Sequence, residues 1–301
     1  MSKIAFTGGG TGGHIYPNLA IIEDLKYQKN DTELELFYFG HPEKLEAKLL
    51  NSKDITDFHD KPFKNYVKFV AIESEPLIKT INPFKLFNWF RRFKKYTQKA
   101  KKALQENKID LVFGTGGYAA GPVFAACKEL KIPYIIHNLD AHMGLANRAF
   151  VADATALTLG VCDLKIEPKN KNVFITGNPI SQKFIQSLKA EAPRKDNKLH
   201  VLVTGGSQGA QSINKAIGEL LEDFAKLDVE IIHITGQKNY LEHKEKYLSS
   251  TNKYDFYKVD DYTHEMPKLC AWADIAICRS GAMTVAEMLV SHTLCVFIPL
   301  P

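Results

Sequence analysis

Cysteine is sparse and unpatterned in this sequence: five residues (Cys127, Cys162, Cys270, Cys278 and Cys295), odd in number and nowhere spaced as Cys-x-x-Cys. That spacing argues against a disulfide framework or a zinc site and fits a reducing compartment. No apolar run reaches the roughly 18 residues of a membrane-spanning helix. The opening, MSKIAFTGGG, lacks the charged, apolar and small-residue regions of a signal peptide, so a cytosolic setting is expected. No Asp-x-Asp pair occurs, so no metal clamp on a diphosphate and no metal site is expected. What remains is an ordinary globular composition: 301 residues, 45% hydrophobic and 24% charged, enough for two domains.

Charge is unevenly spread. Between Lys79 and Lys108 stand ten Lys or Arg and a single acid, Glu106, while the whole chain carries only +5, so the remainder is net acidic. The same stretch is apolar in its first half, with the aromatics Phe84, Phe87, Trp89, Phe90 and Phe93 and the aliphatic Leu86 inside segment 82–104. Aromatics beside cations suit an anionic membrane surface. Nucleic acid would attract the same cations, but no DNA-binding motif accompanies them and no nucleic-acid partner is expected. An ordinary amphipathic helix packed on a sheet is the plainer alternative.

The chain is organised around Lys3 to Pro17, KIAFTGGGTGGHIYP. A short apolar strand, five glycines and a helical apolar spacing through Leu19, Ile22 and Leu25 make a strand–turn–helix unit. Such a unit aims backbone N–H groups and a helix dipole at an anion. Glycine admits positive φ and close backbone approach. His14, at the rim of the turn, has an ordinary pKa of about 6.5, suited to a general base; in isolation it is as readily a structural histidine.

Further apolar strands end in small residues: Leu34–Phe39 at Gly40, Leu111–Phe113 at Gly114-Thr115-Gly116-Gly117, and Tyr134–His137 at Asn138. Helices are predicted over 45–50 and 122–130. Strands alternating with helices indicate a parallel sheet, and ligands gather at its carboxyl edge. At His200 the pattern restarts: Val201 to Thr204 lead into Gly205-Gly206-Ser207-Gln208-Gly209-Ala210 and a helix through Ile213, Ile217, Leu220 and Leu221. Strands are also predicted at 231–235, 275–278 and 294–298. The expected organisation is two doubly wound, Rossmann-like α/β domains facing a cleft, over 1–188 and 199–301, with a polar linker at 189–198.

Gly8, Gly10 and Gly13 satisfy the dinucleotide pattern, but the second strand ends Phe39-Gly40-His41 without the acid that would hold a ribose, which disfavours a nicotinamide enzyme. Gly205 to Gly209 also fits a hydrolase nucleophile elbow. Ser207 is more simply a phosphate-binding hydroxyl, since the turn of the first half has no matching nucleophile. Glu287 follows the loop Arg279–Thr284 on a helix, where a carboxylate accepts hydrogen bonds from two vicinal hydroxyls; a surface glutamate is the duller reading.

Taken together, GGGTGGHIYP (8–17), TGGYAAGP (115–122), GLANR (144–148), GNP (177–179), GGSQGA (205–210) and CRSGAMTVAE (278–287) resemble, across nearly the whole chain, the MurG-type N-acetylglucosaminyltransferases of bacterial cell-wall synthesis. The resemblance implies a GT-B fold and an inverting transfer without metal or cofactor. N-acetylglucosamine would pass from UDP-N-acetylglucosamine to the undecaprenyl-linked muramoyl-pentapeptide. It implies that Ser207 and Gln208 take the donor diphosphate, that Arg279, Ala282, Met283, Thr284, Val285 and Ala286 line the nucleotide pocket, that Glu287 holds the ribose and that Thr263 lies near the uracil. The first domain's glycine turns would take the lipid diphosphate. Thr11, Gly12 and Gly13 would lie near the sugar, and His14 would be the base. The implied location is peripheral, on the cytoplasmic face of the cell membrane.

Three departures accompany the match. Where the family reads His-Glu-Gln-Asn this chain has His137-Asn138-Leu139-Asp140, so the donor contacts fall on Asn138 and Asp140. Ser181 stands where the family has an arginine. The family also continues beyond the position of Pro301 with a glutamine-bearing loop and closing helices, and weak donor binding by this polypeptide alone is the expectation. Another GT-B enzyme, such as a diacylglycerol glycosyltransferase or a UDP-sugar epimerase, is the alternative, ahead of a Ser207 hydrolase or an inactive binding protein.

Overall fold

A computed structural model describes residues 2–28, 34–78, 80–162, 169–189, 197–206, 209–248, 254–263 and 265–299. Contacts divide the chain into two compact units, Met1–Gln182 and Lys183–Pro301.

The first unit runs β1 (Ser2–Gly8), α1 (Gly12–Gln28), β2 (Leu34–Gly40), α2 (Leu45–Asn51), β3 (Val67–Ala71), α3 (Pro83–Asn107), β4 (Leu111–Gly116), α4 (Ala120–Leu130), β5 (Tyr134–Asn138), α5 (Leu145–Phe150), β6 (Ala156–Leu159) and β7 (Val173–Ile175). Its seven strands form one sheet in the order β3-β2-β1-β4-β5-β6-β7, and every pairing is parallel. Successive side chains in a strand point to opposite faces, so both faces are buried. Ala5, Phe37 and Phe39 pack with Val112, Val123 and Phe124 on one face. Phe6, Leu36 and Tyr38 meet Ile15, Leu19 and Ile22 of α1 on the other. Near-continuous apolar strands are what such a doubly covered sheet requires.

The basic and aromatic segment is a single long helix. Asn82 caps α3 by accepting from the N–H groups of Phe84 and Lys85 at 3.0 and 3.2 Å, and Pro83 fits the first turn. Trp89, Thr97, Ala100 and Leu104 are buried, and the Trp89 indole donates to the carbonyl of Pro76 at 3.0 Å. Helical spacing thus splits the aromatics that the sequence groups together. Trp89 faces the protein, whereas Phe84, Phe87 and Phe90 are exposed.

The second unit contains β8 (Leu199–Thr204), α7 (Gln211–Glu219), α8 (Leu221–Phe224), β9 (Val229–Ile234), α9 (Tyr240–Leu248), β10 (Tyr257–Asp260), α10 (Met266–Trp272), β11 (Ile275–Cys278), α11 (Ala282–Ser291) and β12 (Leu294–Phe297). Its five-stranded parallel sheet has the order β10-β9-β8-β11-β12. Val201, Val203 and Ile231 pack under Ile213 and Ile217 of α7. The one helix expected through Leu221 is broken at Leu220, just after Gly218, a weak helix former packed against the Tyr247 ring.

Helix α6 (Gln182–Lys189) crosses the contact division, so Lys189, expected in the linker, is helical. The greater part of the expected linker, 190–196, lies outside the described residues.

Candidate active site

Both sheets reverse their strand order once, between β1 and β4 in the first and between β8 and β11 in the second. In an open parallel sheet the crevice for a ligand opens at that reversal, beyond the carboxyl ends of the two strands. The turns after β1, β4, β8 and β11 carry the glycine clusters Gly8–Gly13, Gly114–Gly117, Gly205–Gly209 and the Arg279–Gly281 loop.

In the first unit the two glycine turns are packed into one another. Gly8 and Gly10 take φ of 155° and 93°, Gly116 and Gly117 of 95° and 75°. A side chain on Gly117 would run into the carbonyl of Gly9, and one on Gly8 into the Thr115 hydroxyl. One on Gly10 would come within 2.6 Å of the Tyr118 ring. Thr11 and Gly13 are exposed at the start of α1, with Gly12 half-buried between them. Pro17 has no N–H, so the carbonyl of Gly13 lacks its helical donor.

His14 stands half-buried in the first turn of α1. Its Nδ1 lies 3.0 Å from the carbonyl oxygen of Thr115. A carbonyl can only accept, so Nδ1 carries the proton and Nε2 presents its lone pair. Burial, opposed by the Thr115 bond and by the charge of Asp140, lowers the pKa of the imidazole below its ordinary value. His14 is therefore neutral near pH 7, with its basic nitrogen free.

Beneath the turn lies a polar core that the sequence does not advertise. Asn18, fully buried, directs its amide N–H groups at the carbonyls of Thr7 (3.1 Å) and His14 (3.3 Å), the Tyr38 hydroxyl (3.2 Å) and the Thr115 hydroxyl (3.2 Å). Tyr38 donates its hydroxyl to the carbonyl of Gly8 at 2.7 Å, and Thr115 donates to the carbonyl of His14 at 2.5 Å. Glu46, also fully buried, accepts from the N–H of His41 at 3.0 Å and of Gly10 at 3.4 Å. Nothing in the sequence distinguishes Glu46 from a surface acid on the short helix α2.

The loop after β5 holds Asn138 and Asp140. Asn138 is buried and donates to the carbonyl of Asp140 at 2.5 Å, fixing the bend that leaves Asp140 exposed. Asn178 of the Gly-Asn-Pro stretch clamps this loop from behind: its amide donates to the carbonyl of Leu139 at 3.2 Å and its oxygen lies 3.2 Å from His137 Nε2. Ser181 is half-buried immediately before α6, one residue ahead of Gln182, whose N–H donates to Glu23 at 2.9 Å.

In the second unit Gly206 and Gly209 take φ of 79° and 72°, and a side chain on Gly209 would strike the carbonyl of Thr235. Ser207 and Gln208, expected to grip the donor diphosphate, lie outside the described residues. Arg279 is committed within the unit: its guanidinium donates to the carbonyls of Ile298 (3.2 Å) and Pro299 (2.7 Å) and to the Ser212 hydroxyl (2.8 Å), tying the β11 loop to the end of β12 and to α7. Ala282, Met283, Thr284, Val285 and Ala286 form the half-buried first turns of α11, whose N-terminus no side chain caps. Glu287 stands one turn further on, on the face shared with Met283 and Thr284. Its carboxylate has no hydrogen-bond partner among the described residues, and burial pushes its pKa up to about 7. Thr263, half-buried beyond β10, accepts from the N–H of Glu265 at 2.9 Å just ahead of α10.

The glycosyltransferase family 28 N-terminal domain matches residues 4–158, and the family 28 C-terminal domain matches 200–301. The chain belongs to glycosyltransferase family 28. It is 34% identical over 306 residues to the UDP-N-acetylglucosamine--N-acetylmuramyl-(pentapeptide) pyrophosphoryl-undecaprenol N-acetylglucosamine transferase of Halalkalibacterium halodurans, covering 99% of this chain and 79% of that one. The Francisella philomiragia protein of the same name is 35% identical over 310 residues, with 99% and 78% covered. Among solved structures, Acinetobacter baumannii MurG superposes with a TM-score of 0.69 at 24% identity, over 100% of this chain and 79% of that one, a likeness of fold. Membership in family 28 accounts for the repeated plan, an N-terminal and a C-terminal domain of one family. The two family models divide as the sheets do, one per unit.

Proposed function

We propose that this chain is a hexosyltransferase that moves N-acetylglucosamine from UDP-N-acetylglucosamine to the undecaprenyl-diphospho-muramoyl-pentapeptide lipid, with inversion at the anomeric carbon. The reading is supported by relatives of that name at 34% and 35% identity over 99% of the chain. The observation that carries the chemistry is the fixed tautomer of His14, with Nδ1 spent on Thr115 and Nε2 open at the switch point of the first sheet.

In this mechanism the first unit holds the acceptor sugar against Thr11, Gly12 and Gly13. His14 Nε2 takes the proton of the attacking hydroxyl as its oxygen bonds to the anomeric carbon. The bond from that carbon to the UDP oxygen breaks on the opposite face, and the departing diphosphate keeps the electron pair. The second unit takes the donor. The open N–H groups at the start of α11, its dipole and the Gly205–Gly209 turn stabilise the charge that grows on the leaving diphosphate, the kind of preorganised interaction that contributes most to such steps. Glu287 accepts the ribose hydroxyls. Arg279 shapes the pocket by bracing its loop, and Asn138 and Asp140 contribute from the loop after β5.

No helix among the described residues is long and apolar enough to cross a membrane. We assign the chain to the cytoplasmic face of the cell membrane as a peripheral protein, held by the exposed Phe84, Phe87 and Phe90 and the cations of α3. Release of UDP, measured with UDP-N-acetylglucosamine and the lipid acceptor for the chain and for His14→Ala, tests the whole reading. Transfer to diacylglycerol instead, or loss of UDP without any acceptor, would replace it.

A further inference from the structure

Thr235, immediately after β9, presses its carbonyl oxygen against the Gly205–Gly209 turn, where a side chain on Gly209 would strike it. The same oxygen accepts from the Asn214 amide of α7 at 2.9 Å, with the Asn239 amide a lesser donor at 3.5 Å. A carbonyl only accepts, so the Asn214 nitrogen faces Thr235 and the Asn214 oxygen faces His233 Nε2, 3.0 Å away. That ring nitrogen must then carry the proton. Burial keeps His233 neutral, so its Nδ1 is a lone pair that accepts from the Tyr257 hydroxyl at 2.7 Å. Tyr257, its one proton spent, can only accept from His243 Nε2 at 2.6 Å. One arrangement of protons satisfies every member: His243 donates to Tyr257, Tyr257 to His233, His233 to Asn214, and Asn214 to Thr235. All five residues are buried.

We infer that Tyr257 and His243 are positioning residues for the donor, heading a one-way hydrogen-bond chain that fixes the Thr235 carbonyl against Gly209 and so sets the Gly205–Gly209 turn for the donor diphosphate. This rests on the second unit's being the donor side. Gly209 takes φ of 72° and closes the turn by donating to the carbonyl of Gly206 at 2.9 Å. Having no side chain to wedge it in place, it takes its position from the wall that it leans on. In a buried chain each bond polarises the next, and a member left unpaired costs its desolvation. Removing the head therefore loosens the hold on the last acceptor. Tyr257 lies on the edge strand β10 and His243 on α9, so the chain carries the order of the sheet's edge to its switch point.

Tyr257→Phe keeps the ring and removes the hydroxyl. UDP and uridine are titrated into the full chain carrying nitrogen-labelled glycine, with the Gly281 amide signal of the nucleotide loop as readout. UDP should bind the variant roughly fivefold more weakly, the effect of one lost hydrogen bond, while uridine, which brings no diphosphate to the turn, binds as in the wild type. Equal weakening of both ligands, or unchanged UDP binding, overturns the positioning role. A second pair covers a Phe variant that does not fold. His243→Gln retains an N–H able to reach Tyr257 and should keep the wild-type ratio of the two affinities, whereas His243→Leu has none and should lose it. The same ratio in both overturns the chain. Without any ligand, the Gly206 and Gly209 amide signals should move in Tyr257→Phe and His243→Leu and hold in His243→Gln; signals unmoved in all three overturn the link to the turn. Should the wild type prefer UDP no more than uridine, the donor reading of the second unit fails instead, and the unliganded signals still report on the chain.

Discussion

His14 Nδ1 donates to the carbonyl oxygen of Thr115 across 3.0 Å, so the first residue turn of α1 and the last residues of β4 are joined at the switch point of the first sheet. Because the acceptor is a backbone carbonyl, no side-chain change at Thr115 removes it, and the ring keeps the tautomer that a base requires. His14→Ala should lower kcat by about 10²–10⁴-fold, the range for loss of a positioned base, with little change in donor KM. The pH dependence carries a sign. Burial lowers the pKa of His14, so the acid limb of kcat, read at saturating donor where the ionisation of Glu287 no longer limits binding, should lie below the ordinary 6.5 of histidine, with the rate falling as pH drops through the lowered value. A limb above 6.5 would contradict the burial of the ring.

The glycine turns could be read in the sequence because a turn that approaches a ligand needs glycine and little else. Gly8, Gly10, Gly116, Gly117, Gly206 and Gly209 all take positive φ. The strands with buried apolar runs were equally plain. Short strands such as Ala156–Leu159 and Tyr257–Asp260 were not, since four residues hold too little periodicity to separate strand from loop. The supporting shell of the site was invisible for a different reason. Asn18, Tyr38, Thr115 and Glu46 come from four separate elements, and only the fold brings their polar atoms together. A lone buried acid has no sequence signature. Its trace here is the pair Gly9 and Gly40, which must lack side chains to admit it.

Gly117 and Gly177 have nearly the same φ, 75° and 74°, but different surroundings. Nothing lies within 4 Å of a Cβ on Gly177, whereas one on Gly117 meets the carbonyl of Gly9. Gly177→Ala should therefore cost only the backbone strain, about 1 kcal/mol, and leave activity intact. Gly117→Ala must also push the two turns apart, and should lose more than ~2 kcal/mol together with transfer activity. Urea unfolding of both variants decides it; equal losses would mean that the turns are not in contact.

Helix α3 presents Phe84, Phe87 and Phe90 at 79%, 67% and 55% exposure, on a helix whose second half is dense in Lys. Serine at all three positions should cut binding to vesicles rich in anionic lipid by more than about tenfold, each ring losing its apolar transfer. Stability should hold, because Trp89, Ala100 and Leu104 still anchor the helix. Raised salt should weaken the wild type through the cations. Undiminished sedimentation of the triple variant with vesicles would move the membrane face elsewhere.

Two buried histidines make the second unit sensitive to acid. His233 Nε2 lies 3.0 Å from the Asn214 oxygen, and its Nδ1 lies 2.7 Å from the Tyr257 hydroxyl, which in turn lies 2.6 Å from His243 Nε2. Burial lowers the two imidazoles to about 3 and about 4. Both values lie below those of the unfolded chain, so the unfolded state binds more protons as pH falls below 6.5. Their contribution is complete above that pH and is lost on acidification, at up to about 1.4 kcal/mol per pH unit for each ring. The opening free energy of the β9 amides, taken from exchange rates divided by the intrinsic rate at each pH, should therefore fall between pH 6.5 and 4.5, and His243→Gln should reduce the slope by one proton. A pH-independent β9 would show that these rings are not buried neutral.

Under the proposed ribose contact, Glu287 combines a raised pKa with a task that needs the ionised form. Burial pushes the carboxyl up to about 7, yet only the carboxylate offers lone pairs to two vicinal hydroxyls while donating nothing back. Donor affinity should accordingly rise with pH through about 7 and level off above it, the opposite direction to any effect of a protonated cation on the diphosphate. Bound nucleotide should pull the Glu287 pKa down, since hydrogen bonds to the charged form favour it, so binding at neutral pH should release a fraction of a proton. Calorimetry with UDP in buffers of different ionisation heat measures that proton directly. Glu287→Gln, which keeps one acceptor oxygen, should weaken UDP by about 1–3 kcal/mol, the cost of a lost hydrogen bond to a charged group, and should abolish both the pH dependence and the proton release. Retention of either in the Gln variant would assign the titration to another group.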